Sequence, residues 1–335
     1  MFCARLFVTL QGFCKNDNKM EKRKSILVAL MAMFAFTAQA QEELMKFGDF
    51  ESWITRTIKE SGIIGGKTKK LVEVGPTMNY QQKVYHNQGG SPWATSNIYA
   101  HVSGISKTNT SVYKDTHNSG TCVKLKTHVE GVKVLGIVNI HVIAAGSIFT
   151  GEMKEPITSS SNPFRYLNLG IPFTKRPKAV KFDYKVHLSD SACVRMTGFS
   201  RKKVMTYKDY PDVQCVLQKR WEDEDGNIHA LRVGTLIHRF TTATKGWHEG
   251  SSFEIHYGDI TGESFYRDYM GLITGDNTMY ATNSAGKQVK ILEEGWAAPD
   301  ETPTHLILKF NSSCCGAYIG SPGNTLWLDN VKLVY

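Results

Sequence analysis

The chain has 335 residues, with 40 Lys and Arg against 31 Asp and Glu for a net charge of +9. That length is enough for a large core, since chains of about 300 residues bury about 75% of the surface they expose when unfolded. The excess of cations forms no stripe interleaved with aromatics, so it does not point to nucleic acid, and no apolar run reaches the ~20 residues of a spanning helix.

The first forty residues read as a leader. Met20-Glu-Lys-Arg-Lys-Ser is a basic start, Ile26 to Phe36 is an apolar run of signal length, and Ala38-Gln-Ala40 is a small-x-small cleavage site. Residues 1–19 precede this signal and are expected to be a mis-assigned start, with Met20 the initiator. Gln41 follows Ala40, so no cysteine is offered for a lipid anchor. The expectation is an exported protein, periplasmic or at the cell surface, folded as one domain over 41–335. Six cations and two acids leave with the leader, a net +4 of the +9, so the mature chain keeps about +5 and is mildly basic. Five cysteines stay: Cys122, Cys193, Cys215, Cys314 and Cys315. No C-x-x-C occurs among them, which argues against a zinc ribbon or a redox pair; Cys193 and Cys215 are a conceivable bridge in an oxidising compartment.

In chain order, Asp49-Phe-Glu-Ser-Trp53 opens the mature fold with an aromatic strand start and two acids. Ser61 to Lys70 (SGIIGGKTKK) suggests a phosphate loop, but that motif requires glycine where Ser61 stands, so an exposed loop is expected. Trp93 follows Gly-Gly-Ser-Pro and is expected in a loop. Gly120 to Thr127 alternates as a strand, with Val123 and Leu125 on one face. Val132 to Ile143 is more continuously apolar, which suits a strand or strand pair buried on both faces. Lys178 to Leu188 alternates cleanly. Asp212 to Phe240 reads as a hairpin whose acidic link, Glu222 to Asn227, holds an Asp-Gly turn. The tail carries two more alternating runs. Leu306, Leu308 and Phe310 share one face; Trp327, Asp329, Val331, Leu333 and Tyr335 share another, with a Ser-Pro-Gly-Asn turn between the runs. This phase puts Asp329 on the apolar side of a strand, where a carboxylate needs a donor or a cation.

These segments resemble the exported bacterial family called the putative carbohydrate metabolism domain. The resemblance rests on DFESW, PWATSN (Pro92 to Asn97), GTCVKLKT, SIFTG, GIPFTKRPKAVKFDYKV (Gly170 to Val186), QKRWEDEDGNIHALRVGT (Gln218 to Thr235), EEGW (Glu293 to Trp296) and the closing SSCCGAYIGSPGNTLWLDNVKLVY. It implies an all-β, jelly-roll β-sandwich similar to galactose-binding-like carbohydrate modules, and defines no catalytic motif.

Three functions compete: glycan binding without catalysis, glycoside hydrolysis, and protein binding as an adhesin or envelope component. Sugar recognition needs a flat aromatic face with polar groups beside it. Trp221 has Arg220 and Glu222 as chain neighbours, although alternation from Leu217 puts its indole on the core phase; Trp93 and Trp296 are the other candidates. Trp53, Trp247 and Trp327 fall in or beside strands and are assigned to the core. A hydrolase needs two facing carboxylates, one with a raised pKa; the acids of Glu222 to Asp225 with Glu293 and Glu294 could supply them. No H-E-x-x-H or G-x-S-x-G occurs. A structural calcium joining the chain ends through Asp49, Glu51 and Asp329 is a further expectation, because hard oxygen ligands suit that ion; the alternative is that Asp329 accepts backbone hydrogen bonds or caps a turn.

Overall fold

Eight alternating runs make the framework: β1 (Gly120–Lys126), β2 (Ser147–Met153), β3 (Ala179–His187), β4 (Asp212–Glu222), β5 (Ile228–Arg239), β6 (His248–Glu254), β7 (His305–Asn311) and β8 (Thr325–Val334). The computed structural model describes residues 41–134, 138–198, 202–275 and 278–335, so the expected leader lies outside the described residues. Glu42–Tyr335 forms one unit. Among the described residues there is no α-helix, and no helix is long and apolar enough to cross a membrane.

The first sheet has the order β6-β3-β8-β1 and the second β2-β7-β4-β5. Successive strands therefore cross from sheet to sheet except at the β4–β5 hairpin, the order that defines a jelly roll, and the fold is all-β. Val123, Leu125, Val180, Phe182, Leu326 and Leu328 from the first sheet meet Val213, Cys215, Leu217, Leu306, Leu308 and Phe310 from the second in one buried cluster. Phe182 of β3 meets Phe310 of β7 edge to face, with centroids 5.0 Å apart, across the space between the sheets. Each fully buried Leu, Val or Phe here contributes about 1.5–3 kcal/mol.

Around this frame, strand Val112–His117 extends the first sheet beyond β1, and Trp93–Thr95 and Leu167–Leu169 both pair with β2. Gln288–Trp296 runs parallel to β5 on the far side of the second sheet, and Tyr280–Thr282 pairs with it at the edge. The outer face of that sheet has its own core, where Phe149, Val216, Ala230 and Ile307 meet Met279 and Ala281.

Three expectations are corrected here. The run around Val132 to Ile143 is a hairpin, His128–Val134 with Val138–Ala144, and it is not buried on both faces: Val129 and His141 are exposed. Residues 135–137 of that run lie outside the described residues. The last strand changes phase within itself. Leu326 and Leu328 point into the core, Asn330 takes a left-handed φ of 53°, and Val331 and Leu333 point inward after it. The irregularity turns Trp327 and Asp329 to the outer face, where both Trp327 and Trp247 are half-buried rather than core, whereas Trp53 is buried. Cys193 and Cys215 do not bridge: both are free, and Cys215 sits in the core cluster. The SGIIGGKTKK stretch is mostly exposed, as a single 3-10 turn (Gly62–Ile64) leading into strand Thr68–Val74.

Candidate functional site

The β4–β5 hairpin continues past the edge of the inter-sheet core, so its last residues keep the inward phase outside that core. Trp221 is there, 42% exposed. It faces His229 across the ladder, their rings 5.5 Å apart and within 12° of parallel. His229 is in turn the register partner of Leu292, 39% exposed, on the parallel neighbour strand. Trp221, His229 and Leu292 thus form a row across three strands, spanning about 10 Å at the usual strand spacing.

Charges frame the row. His229 is held flat by Asp223 at 2.9 Å and Glu294 at 2.5 Å. These two carboxylates raise the His229 pKa, and the His229 and Asn227 hydrogen bonds hold Asp223 well below its ordinary value. Lys219, one inward position before Trp221, pairs with Glu301 at 2.9 Å. The acidic hairpin tip is a turn: the Asp223 carboxylate accepts the backbone N–H groups of Asp225 and Asn227, and Gly226 has a φ of 78° that suits glycine.

Arg220 and Glu222 do not join Trp221, because consecutive strand residues point to opposite faces. Arg220 lies on the outer face, where its guanidinium donates to Gln218 and to the Leu169 carbonyl. Burial, against the opposing charge of Glu293, lowers its pKa to about 9. The same burial, with Arg220 beside it, lowers His305 to about 4. Glu222 is tied to the Ser284 N–H at 2.8 Å and hydroxyl at 2.6 Å. Trp296 stands opposite Arg232 on that outer face, half-buried, with the guanidinium 5.5 Å from its ring centroid. Arg232 is itself locked to Glu293, which Gln218 and the Ile273 N–H also bond. Burial would raise Glu293, but the Arg232 charge together with the hydrogen bonds from Arg232, Ile273 and Gln218 outweighs it and holds the carboxyl below its ordinary value.

Trp93 has no face to offer. Its indole is fully buried against Phe50, with the ring N–H donated to the Lys46 carbonyl at 2.9 Å. The Gly-Gly-Ser-Pro approach is a loop, but Trp93 itself starts a strand beside β2. The expected calcium group is not assembled either. Glu51 accepts the Thr121 N–H at 3.0 Å, while Asp329 pairs with His117 at 2.7 Å. Neither Asp49 nor Glu51 belongs to a convergent group of three metal-ligand side chains among the described residues. Asp329 also accepts the Asn330 N–H at 2.8 Å, as the hydrogen-bonding alternative had it.

His229 and Leu292 were missed in the sequence. The Asp-Gly turn was the available signal for His229: a five-residue link from Asp223 to Asn227 sets Glu222 opposite Ile228 and therefore Trp221 opposite His229. Nothing local announces Leu292, which arrives by a parallel pairing over some sixty residues of chain.

The family model described as Putative carbohydrate metabolism domain matches residues 69–254, more than half of the chain. The chain belongs to that family. The matched segment holds β1 to β6 of this family member, and with them Trp221 and His229. No curated protein matches the chain. Among solved structures, it is similar to one described as a putative glycoside hydrolase from Bacteroides thetaiotaomicron, at 18% identity and a TM-score of 0.45, covering 80% of this chain and 75% of that one. A second, described as a putative glycoside hydrolase from Bacteroides vulgatus, stands at 15% identity and 0.45, covering 85% and 99%. A third is a carbohydrate-binding module specific for non-crystalline cellulose, at 10% identity and 0.25, covering 73% and 90%.

Proposed function

We propose that this protein is exported and binds a glycan, without hydrolysing it, on the Trp221 row. The observation that carries this reading is the exposed indole at the end of β4, continued by the flat His229 imidazole and by Leu292 into a strip with carboxylates along its sides. A pyranose ring stacks on such a strip through its C–H face while its hydroxyls reach the flanking polar groups, and the span of about 10 Å suits two sugar units. Membership of a carbohydrate-related family supports the ligand class. The acid beside the row favours binding over acid catalysis: Asp223 is held below the ordinary carboxyl range, whereas a glycosidase acid must be raised.

The test uses the mature chain from Gln41 and its Trp221→Ala variant in affinity electrophoresis through β-glucan, xylan, mannan and pectin. The parent should be retarded by at least one polymer, and the variant should bind it tenfold or more weakly, about 1.4 kcal/mol or more. Equal retardation of the two would place the site elsewhere. Absence of retardation in all four gels would favour the protein-binding alternative, and release of reducing ends would make the protein a hydrolase. Intact mass of the exported chain tests the leader, with Gln41 as the expected first residue.

A further inference from the structure

The outer face of the first sheet carries a second group of polar side chains, remote in sequence and unrelated to the Trp221 row. β3 and β8 pair here, and their register shifts between Lys181 and Asp183, while Asn330 breaks β8 one residue after Asp329. These irregularities set Asp183 directly opposite Asp329 as ladder partners, both buried. Like charges directly opposite one another repel across a ladder, and burial without a countercharge is costly. The pair needs a countercharge or a bound proton.

His117, at the end of strand Val112–His117, lies beside them with its side chain only 2% exposed. Its Nδ1 is 2.7 Å from Asp329 Oδ2, and its Nε2 is 3.0 Å from Oε1 of Glu249. Trp247 stacks on the imidazole at 3.8 Å between centroids and fixes the ring plane. Asp183 is oriented by the Gly250 N–H and the Asn330 side-chain amide. Ligand atoms of His117, Asp183 and Glu249 all lie within 4.8 Å of one another.

The protons do not satisfy this group by themselves. Asp329 accepts at Nδ1, which places the ring proton there, as in the carboxylate–histidine arrangement that orients metal ligands. A neutral imidazole then turns the lone pair of Nε2, which the Asn118 amide reaches only at 3.3 Å, toward a carboxylate oxygen at 3.0 Å, acceptor against acceptor. A second proton would relieve that contact but would leave three carboxylates around a single positive charge. A divalent ion relieves it and neutralises two of them. The spacing is close: at the tetrahedral angle two ligand atoms each about 2.1 Å from a common ion lie about 3.4 Å apart, so His117 Nε2 and Glu249 Oε1, 3.0 Å apart, need open by only a few tenths of an ångström.

We propose that His117 Nε2, Asp183 and Glu249 bind a divalent first-row transition ion, with Asp329 as the positioning residue behind the imidazole. The imidazole donor and small ligand number suit zinc-like ions, whereas calcium takes six to eight oxygens. Glu249 is 57% exposed, so the remaining coordination positions open to water. The ion clamps β3, β6, β8 and strand Val112–His117, four segments brought together only by the fold.

The experiment is isothermal titration of chelator-stripped mature protein with zinc and, in parallel, calcium, with elemental analysis of the zinc-loaded form. One zinc per chain should bind and raise the Tm, and cobalt should give a visible spectrum free of thiolate charge transfer. Glu249→Gln, an exposed change that leaves the apo Tm in place, should weaken zinc at least tenfold. Asp329→Asn should weaken it about 10–100-fold at unchanged stoichiometry. The double variant Cys314→Ser, Cys315→Ser should bind like the parent; this separates the site from the Asp209, Cys314 and Cys315 group. The proposal is overturned by absence of saturable zinc binding, by saturation with calcium alone, by equal affinity of Glu249→Gln and parent, or by loss of binding in the cysteine variant.

Discussion

Two clusters in this molecule follow one plan and differ in the cation at the centre and in the exposure of one acid. In the N-terminal part, Arg56 lies fully buried between Glu73 and Glu155; on the outer face of the first sheet, His117 lies between Asp329 and Glu249. Each places a cationic type between two acids from distant segments. The guanidinium has five donors and a permanent charge. It reaches Glu73 at 2.8 Å, both oxygens of Glu155, and the Lys83 carbonyl, and among the described residues only its Nε finds no partner. The acids are completed by protein donors: Thr95 on Glu73, and the Tyr85 and Tyr99 N–H groups on Glu155. The imidazole has at most two donors and a proton it can lose. Among the described residues, Glu249 meets a protein donor only at His117. A closed cluster supports the fold, while one left short of donors and positive charge is built to take something in.

The largest expected effect breaks the closed cluster. Arg56→Ala leaves Glu73 and Glu155 buried without their countercharge, and removing one partner of a buried pair typically costs about 3–5 kcal/mol. Urea denaturation of parent and variant at neutral pH checks this. A loss under 1 kcal/mol would mean that the two acids are stabilised without Arg56, and the contrast between the clusters would fail.

The closed cluster also has a pH dependence of definite sign. Burial raises Glu73 from 4.5 to about 7, against the opposing charge of Arg56, and Glu155 is raised as well. Between the unfolded value and the folded one, the native state binds more protons than the unfolded state, so this contribution to stability falls as pH rises. It is fully present below pH 4.5 and lost by about pH 7, a change of order 1–3 kcal/mol. Glu73→Gln, which stays neutral throughout, should flatten that slope when stability is measured between pH 5 and 7.5. A parent whose stability rises steadily over that window while the variant follows it in parallel would exclude Glu73 as the source.

The frame of the molecule was legible where strands alternate over a single face. Leu306, Leu308 and Phe310 fall in the core as their period-two spacing requires. The last strand was legible up to its irregularity: a left-handed Asn330 reverses the phase, and no alternation pattern announces such a break. Both clusters escaped sequence reading for a related reason. Arg56, Glu73 and Glu155 come from three segments, as do His117, Asp183, Glu249 and Asp329 from four, and their spacing along the chain has no period. Asp329 was visible as an acid in need of a partner, but its partner is 212 residues away. Trp221 was visible by composition, while Arg220 and Glu222 were assigned to its side through chain adjacency, which in a strand means the opposite face.

The smallest expected effect concerns the open cluster in the absence of any ion. Glu249 is 57% exposed, and its bond to His117 is of the surface kind that contributes about 0–1 kcal/mol. Glu249→Gln keeps the side-chain length and an acceptor oxygen, so its stability in chelator should stay within about 0.5 kcal/mol of the parent. The same denaturation experiment that shows a loss of several kcal/mol for Arg56→Ala should therefore barely register this change. A loss comparable to that of Arg56→Ala would mean that Glu249 is as integral to the folded state as the buried acids are. The two clusters would then be variants of one structural device, and the exposed carboxylate could no longer be separated from the fold it sits on.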